Sequence, residues 1–191
     1  MSSPNPESRQ RAAEIMRKTI DLASEFGAVA FLGLVVGALQ PDEQEVEEGR
    51  KRALEEIASL ADYASPKGVR LALETINRFE SSYVNTVEQG LEMMEALGRS
   101  NVGLLLDLFH MNIEDRSIEM AIQKAGSKLF YFHAPDSNRW PPGYGHIDFQ
   151  AVAGVLRAVR YDGWVSAELL PKPDPETAAA KSIEAYRRFF K

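Results

Sequence analysis

The sequence contains no cysteine. That excludes disulfides and thiolate metal sites, and a reducing cytoplasm is the expected compartment. Basic residues are in deficit, with 22 Lys and Arg against 28 Asp and Glu and a formal net charge of −6. Such a balance offers no broad positive footprint for nucleic acid. No apolar run approaches the ~20 residues that span a bilayer, and the first residues show no signal-peptide pattern, so no membrane partner is expected. Histidine is scarce as well. The three in the chain, His110, His133 and His146, fall in one short region, the first hint of a site.

What is present reads as one globular domain over residues 1–191, long enough for a sizeable core. "MSSPNP" reads as a frayed start. Apolar residues at helical spacing run from Glu7 to Phe26, and Gly27 stops them. "AVAFLGLVVG", residues 28–37, is a buried-strand candidate. The acidic segment Pro41–Glu48 follows, with Asp42 as a helix cap, and a helix runs on to about Ala64.

A rhythm then sets in. "VRLALE", "VGLLLD", "KLFYFH" and "GWVSAE" are short apolar runs. Helical patterns follow them near Thr86–Leu97, Ser117–Ala125, Phe149–Val159 and Glu176–Phe190. Alternating strands and helices imply parallel βα units, and continuously apolar strands imply burial on both faces. The expected architecture is therefore α/β, with about five parallel strands alternating with helices.

Each of those four runs ends in an ionisable residue: Glu74, Asp107, His133 and Glu168. Their separations of 33, 26 and 35 residues are each about one βα unit. In a parallel barrel all strand C-termini share one rim, where active sites sit. One acid at a strand end is usually a solvated loop residue or a helix cap. Four in register point to convergence. Three carboxylates and an imidazole at one point repel and are poorly solvated unless a cation joins them. Oxygen and nitrogen donors without sulfur suit Mn²⁺, Mg²⁺, Co²⁺ or Fe²⁺, with Zn²⁺ also accommodated.

The segments "LALETINRFE", "LLLDLFHMNIE", "HAPDSNRWPPGYGHIDF" and "YDGWVSAELLPKPDPETAA" together resemble the sugar isomerase/epimerase superfamily of TIM barrels, and most of all its ketose 3-epimerases. The resemblance implies one divalent metal, typically Mn²⁺ or Co²⁺, held by Glu74, Asp107, His133 and Glu168. It implies Glu74 and Glu168 as the acid/base pair that inverts C3 of a ketose or keto-acid through an enediolate. It also implies Glu80, His110 and Arg139 as the substrate-holding residues. Taken alone, Arg139 reads as a surface ion pair and Glu80 as a solvated carboxylate. In the "RWPPGYGHIDF" loop, Trp140 and Tyr144 are candidate walls of a sugar pocket. His146 and Asp148 read more simply as anchors for the next helix.

Some features depart from the family pattern. A complete (β/α)8 barrel needs roughly 250 residues, so the resemblance implies a partial (β/α)8 TIM barrel whose first three strands and two helices are absent. Two strands, "AVAFLGLVVG" and "GWVSAE", then become edges, and a homo-oligomer or completion by another chain is expected. Thr75 stands where relatives often carry proline. Val36 stands where they tend to carry arginine, and Pro135 where a small apolar residue is usual. Other readings are hydroxypyruvate isomerase or inosose dehydratase chemistry on the same scaffold, and a catalytically silent metal-binding remnant. Three histidines are too few for a trinuclear zinc endonuclease, and a two-metal xylose isomerase would need a second ligand cluster.

Overall fold

A computed structural model describes residues 1–40 and 42–190. Pro41, the first residue of the acidic segment, and Lys191 lie outside the described residues. Helix α1 (Pro6–Phe26) leads into β1 (Ala30–Leu32), α2 (Glu43–Ala64) and β2 (Leu71–Glu74). Next come α3 (Val87–Leu97), β3 (Val102–Asp107), α4 (Leu108–Glu114), α5 (Ile118–Ala125) and β4 (Leu129–His133). Helix α6 (Phe149–Ala158), β5 (Val165–Ser166) and α7 (Pro175–Phe189) complete the order. The five strands are parallel and lie in sequence order, β1-β2-β3-β4-β5. This is the expected half-barrel with its helices.

The helices start where their side chains can cap them. Asn5, Asp42, Thr86, Asp107, Ser117, Asp148 and Asp174 each accept a backbone N–H in the first turn of α1 to α7 in turn. Each satisfies a donor that the helix geometry leaves orphaned. Thr86 and Gln89 make a reciprocal capping box.

The core lies between sheet and helices. Every residue of β3 is buried, and Leu71, Leu73, Leu104, Leu106 and Phe132 are fully enclosed. Ile20, Ile57 and Leu60 close over them from α1 and α2. The sheet curves strongly. The Phe31 ring on β1 meets the Tyr131 ring on β4 edge-on at 4.6 Å, although β2 and β3 separate their strands.

Three expectations need correction. The strand expected over residues 28–37 is only Ala30–Leu32, and the strand in "GWVSAE" is only Val165–Ser166. Both are edges, each paired on one side among the described residues, so nothing extends their ladders. Trp164 beside β5 is 74% exposed and Leu34 after β1 is 54% exposed. The N-terminal residues are not frayed. Met1 and Ser2 are buried, and their nitrogens donate to Val35 and Val36 carbonyls at 2.7 and 2.8 Å. Where no element was expected, "LFHMNIE" is a helix, α4, whose seven residues carry too little periodicity to announce one.

One half-buried acid is a liability. Asp115 ends α4 and accepts the Val87 N–H of α3 at 3.3 Å, while its Oδ2 is buried without a partner. Burial pushes its carboxyl up to about 6. A native carboxyl that holds its proton more tightly than the unfolded chain does loses stability as pH rises, here between about 4 and about 6. Asp115→Asn keeps the acceptor and removes the charge. It is expected to gain about 1 kcal/mol at pH 7 and nothing at pH 4. Urea unfolding of both proteins at the two pH values measures this, and an equal gain at both would overturn it.

Candidate functional site

Three of the four rim residues are the last residues of their strands: Glu74 on β2, Asp107 on β3 and His133 on β4. Asp107 pairs directly with His133 in the parallel ladder. Glu168 lies two residues beyond β5 rather than at its end, because that edge strand stops early. All four still converge. One ligand atom from each lies within 4.8 Å of the others. His133 Nδ1 stands 2.8 Å from Glu168 Oε2, 3.4 Å from Asp107 Oδ2 and 3.9 Å from Glu74 Oε1. The His133 ring is set edge-on against Phe31 and Tyr131 at 5.6 and 5.5 Å.

The atoms that meet are unsatisfied. Glu74 Oε1, Asp107 Oδ2, His133 Nδ1 and Glu168 Oε2 are each buried without a hydrogen-bond partner. Even the 2.8 Å approach of His133 to Glu168 is not aligned as a hydrogen bond. Buried polar atoms normally find partners, so four orphans at one point ask for a cation. The remaining oxygens of two carboxylates serve the protein. Asp107 Oδ1 accepts the Phe109 and His110 N–H groups at 2.7 and 3.4 Å and so caps α4. Glu168 Oε1 accepts from Arg139 at 3.2 Å. Asp107 is thus both the helix cap and a cluster member.

The electrostatics agree. Burial, then the charges of Glu168 and Asp107, push the Glu74 carboxyl up to about 8. Burial alone would lower His133, but the nearby Asp107 and Glu168 carboxylates outweigh it and push the imidazole up to about 9. Its neighbour His133, despite partial burial, holds Glu168 below the usual carboxylate range. Like charges therefore crowd one point and depend on a single imidazole proton for relief. Hard oxygen donors with one imidazole fit a divalent first-row ion.

Gly33, just after β1, makes room for this arrangement. A Cβ there would lie 2.7 Å from Glu74 Oε2. Gly33→Ala is expected to fold, displace the carboxylate and weaken Mn²⁺ binding by ~10–100-fold. Calorimetric titration checks this, and unchanged affinity would sink it.

The substrate-holding candidates gather on one side of the cluster. The Arg139 guanidinium bridges Glu80 Oε1 at 3.4 Å and Glu168 Oε1 at 3.2 Å, and lies over the Phe109 ring at 5.1 Å. His110 is buried, with Nε2 3.8 Å from Glu74 Oε1. Arg139 takes a left-handed backbone, φ 61°. Its loop is organised by Asp136, whose buried carboxylate accepts from Ser137, Gly143 and Ile147 N–H at 2.8, 2.7 and 3.1 Å. Asp148 caps α6 as expected, whereas His146 ties the loop to α4 through Asn112 Oδ1 at 3.1 Å. Trp140 and Tyr144 sit with ring centres 5.8 Å apart. Tyr144 helps line a cleft of about 670 Å³ with Phe149, Lys181 and Arg188, and none of the four cluster residues lines it. Val36 is part of the hydrophobic core.

Sequence reasoning missed two organising residues, Asp136 and Asn77. Asn77 lies in the quoted "LETINRFE" segment, but only its contacts with Glu80 and His110 distinguish it from an ordinary loop amide.

Residues 1–189 match the family described as "Xylose isomerase-like TIM barrel". The chain belongs to that family. Within the xylose isomerase-like barrels it is similar to the L-ribulose 3-epimerase of Mesorhizobium japonicum. The two are 37% identical over 191 residues, all of this chain and 64% of the relative. It is also similar to the ketose 3-epimerase of Arthrobacter globiformis, 32% identical over 169 residues, 88% of this chain and 58% of that protein. A solved D-allulose 3-epimerase from Methylomonas sp., in complex with D-allulose, superposes with a TM-score of 0.89 at 27% identity. The match covers 98% of this chain and 72% of that one. The chain spans about three fifths of the length of these curated relatives. No helix among the described residues is long and apolar enough to cross a membrane.

Proposed function

We propose that this chain acts as a divalent-metal-dependent 3-epimerase of a ketose or keto-acid. The observation that carries the reading is the convergence of two glutamates with Asp107 and His133 at one barrel rim, each offering a buried, unpartnered atom. The names of the relatives, L-ribulose, ketose and D-allulose 3-epimerases, support the substrate class.

Glu74, Asp107, His133 and Glu168 would hold the metal. When bound, a divalent ion supplies polarisation of the substrate carbonyl, which makes the neighbouring C3 proton removable by a carboxylate. Glu74 and Glu168 act as the acid/base pair. One takes the proton from C3, leaving the substrate as its enediolate, and the other returns a proton to the opposite face, which inverts C3. Arg139 and His110 donate hydrogen bonds to substrate oxygens near C1 and C2. Glu80 holds Arg139 in place and accepts from a sugar hydroxyl.

Mn²⁺ or Co²⁺ is the favoured ion, and Mg²⁺ or Zn²⁺ also suits these donors. The chain acts as one domain in the cytoplasm. Its two unpaired sheet edges support assembly into an oligomer or completion by another chain.

The test is solvent exchange. The protein, loaded with Mn²⁺ in deuterium oxide, is incubated with L-ribulose, D-fructose or D-allulose. Deuterium at C3, seen by NMR and abolished by EDTA, is expected. A protein that holds metal yet exchanges no ketose would overturn the proposal.

A further inference from the structure

Asn77 is 1% exposed and lies three residues beyond the end of β2. Its Oδ1 accepts the Phe79 backbone N–H at 2.9 Å. A backbone N–H can only donate, so the amide orientation is fixed. The Nδ2 group then faces two acceptors. It stands 2.9 Å from Glu80 Oε1 and 2.7 Å from His110 Nδ1. An amide nitrogen has two hydrogens and no lone pair to offer, and both hydrogens are used here.

The contact with His110 has one workable form. If Nδ1 carried a proton, two N–H groups would point at each other at 2.7 Å. That excludes the Nδ1–H tautomer, and it excludes the imidazolium too. Nδ1 must be the acceptor, and the ring proton must sit on Nε2. That nitrogen is the one on the Glu74 side, 3.8 Å from Oε1 and too far for a hydrogen bond to it.

We propose that Asn77 is a positioning residue that locks His110 as the neutral Nε2–H tautomer, aiming one N–H donor at a carbonyl or hydroxyl oxygen of a ligand beside Glu74. The same amide steadies Glu80, which in turn meets Arg139 at 3.4 Å. One buried side chain thereby sets both donors that flank the cluster. The ligand assignment rests on the epimerase reading; the tautomer assignment does not.

Protein labelled with ¹⁵N-histidine tests it without any ligand. The His110 nitrogens are assigned by the signals lost in His110→Gln, with His146→Gln identifying the exposed ring. Nδ1 and Nε2 are told apart because Nε2 couples to both ring C–H protons. At pH 7.5, roughly neutral for a free imidazole, Nδ1 is expected to be unprotonated and Nε2 protonated. In Asn77→Asp the partner can only accept, so Nδ1 is expected to gain a proton. Asn77→Ala should leave a mixture of the two tautomers. A protonated Nδ1 in the unaltered protein would overturn the proposal, even if neither variant folds. So would a folded Asn77→Asp with an unchanged pattern. The expected spectrum from a protein that exchanges no ketose would support the tautomer lock while counting against the epimerase reading alone.

Discussion

Asp107→Asn is expected to abolish divalent-metal binding and leave the fold intact. Asp107 has two separate tasks. Its Oδ1 accepts two N–H groups at the start of α4, and its Oδ2 is the buried, unpartnered oxygen of the cluster. Asparagine retains the first through its amide oxygen and replaces the second by an NH₂ group, which has no lone pair for a metal. One of four donors is lost, and a hydrogen-bond donor now faces the ion. Unaltered protein should take up about one Mn²⁺ per chain and gain ~2.7 kcal/mol of stability at a hundred times the dissociation constant. The variant should show neither uptake nor gain, while its metal-free form unfolds at least as late as the parent's, since one buried charge has gone. Elemental analysis with thermal unfolding, with and without Mn²⁺, gives both readings. Stoichiometric metal in the variant would mean that the four residues do not share an ion.

Glu168→Gln is expected to cut C3 exchange by ~10²–10⁴-fold, the range for loss of a general acid or base. The side chain reaches Arg139 through Oε1 and the cluster through Oε2. The Glu168 side chain is 44% exposed, so glutamine can turn its one oxygen to the ion instead of Arg139, and in either orientation it cannot shuttle a proton at neutral pH. The assay is run at Mn²⁺ concentrations shown to fill the variant's site, so that lost ion is not mistaken for lost chemistry. Exchange within tenfold of the parent would remove Glu168 from the acid/base pair and leave it as a ligand only.

The sequence made some of this site readable for a specific reason. Central parallel strands are buried on both faces, so their apolar runs end abruptly, and Glu74, Asp107 and His133 stand at those ends. The edges obey the rule less well. β1 and β5 shrink to three and two residues, which leaves Glu168 beyond its strand. Helix α4 was hidden because its start signal is Asp107, a residue whose position already had an explanation. Glu80, His110 and Arg139 depended on resemblance, since nothing in their spacing brings them together. Asn77 and Asp136 were not legible, because their roles consist of contacts with backbone N–H groups and one imidazole. Such contacts leave no periodic trace.

The loop organised by Asp136 has a consequence for how this scaffold can change. The Arg139 backbone is clamped at both ends, its N–H to Asp136 O at 2.8 Å and its carbonyl to the Leu170 N–H at 2.7 Å. The rest of the loop hangs from the Asp136 carboxylate at Ser137, Gly143 and Ile147. Gly145 belongs to the clamp as well, since a Cβ there would fall 2.2 Å from Asp136 Oδ1. Asn138 belongs to it too, since its side chain donates to the Tyr144 carbonyl at 2.9 Å and accepts the Trp140 N–H at 3.0 Å. Pro142 is buried, and the side chains of Trp140 and Tyr144 lie between these fixed points. The loop is therefore an interchangeable cassette. A library randomised at Trp140 and Tyr144, with Asp136, Asn138, Arg139 and Gly145 retained, can sample new loop surfaces while the guanidinium stays in place.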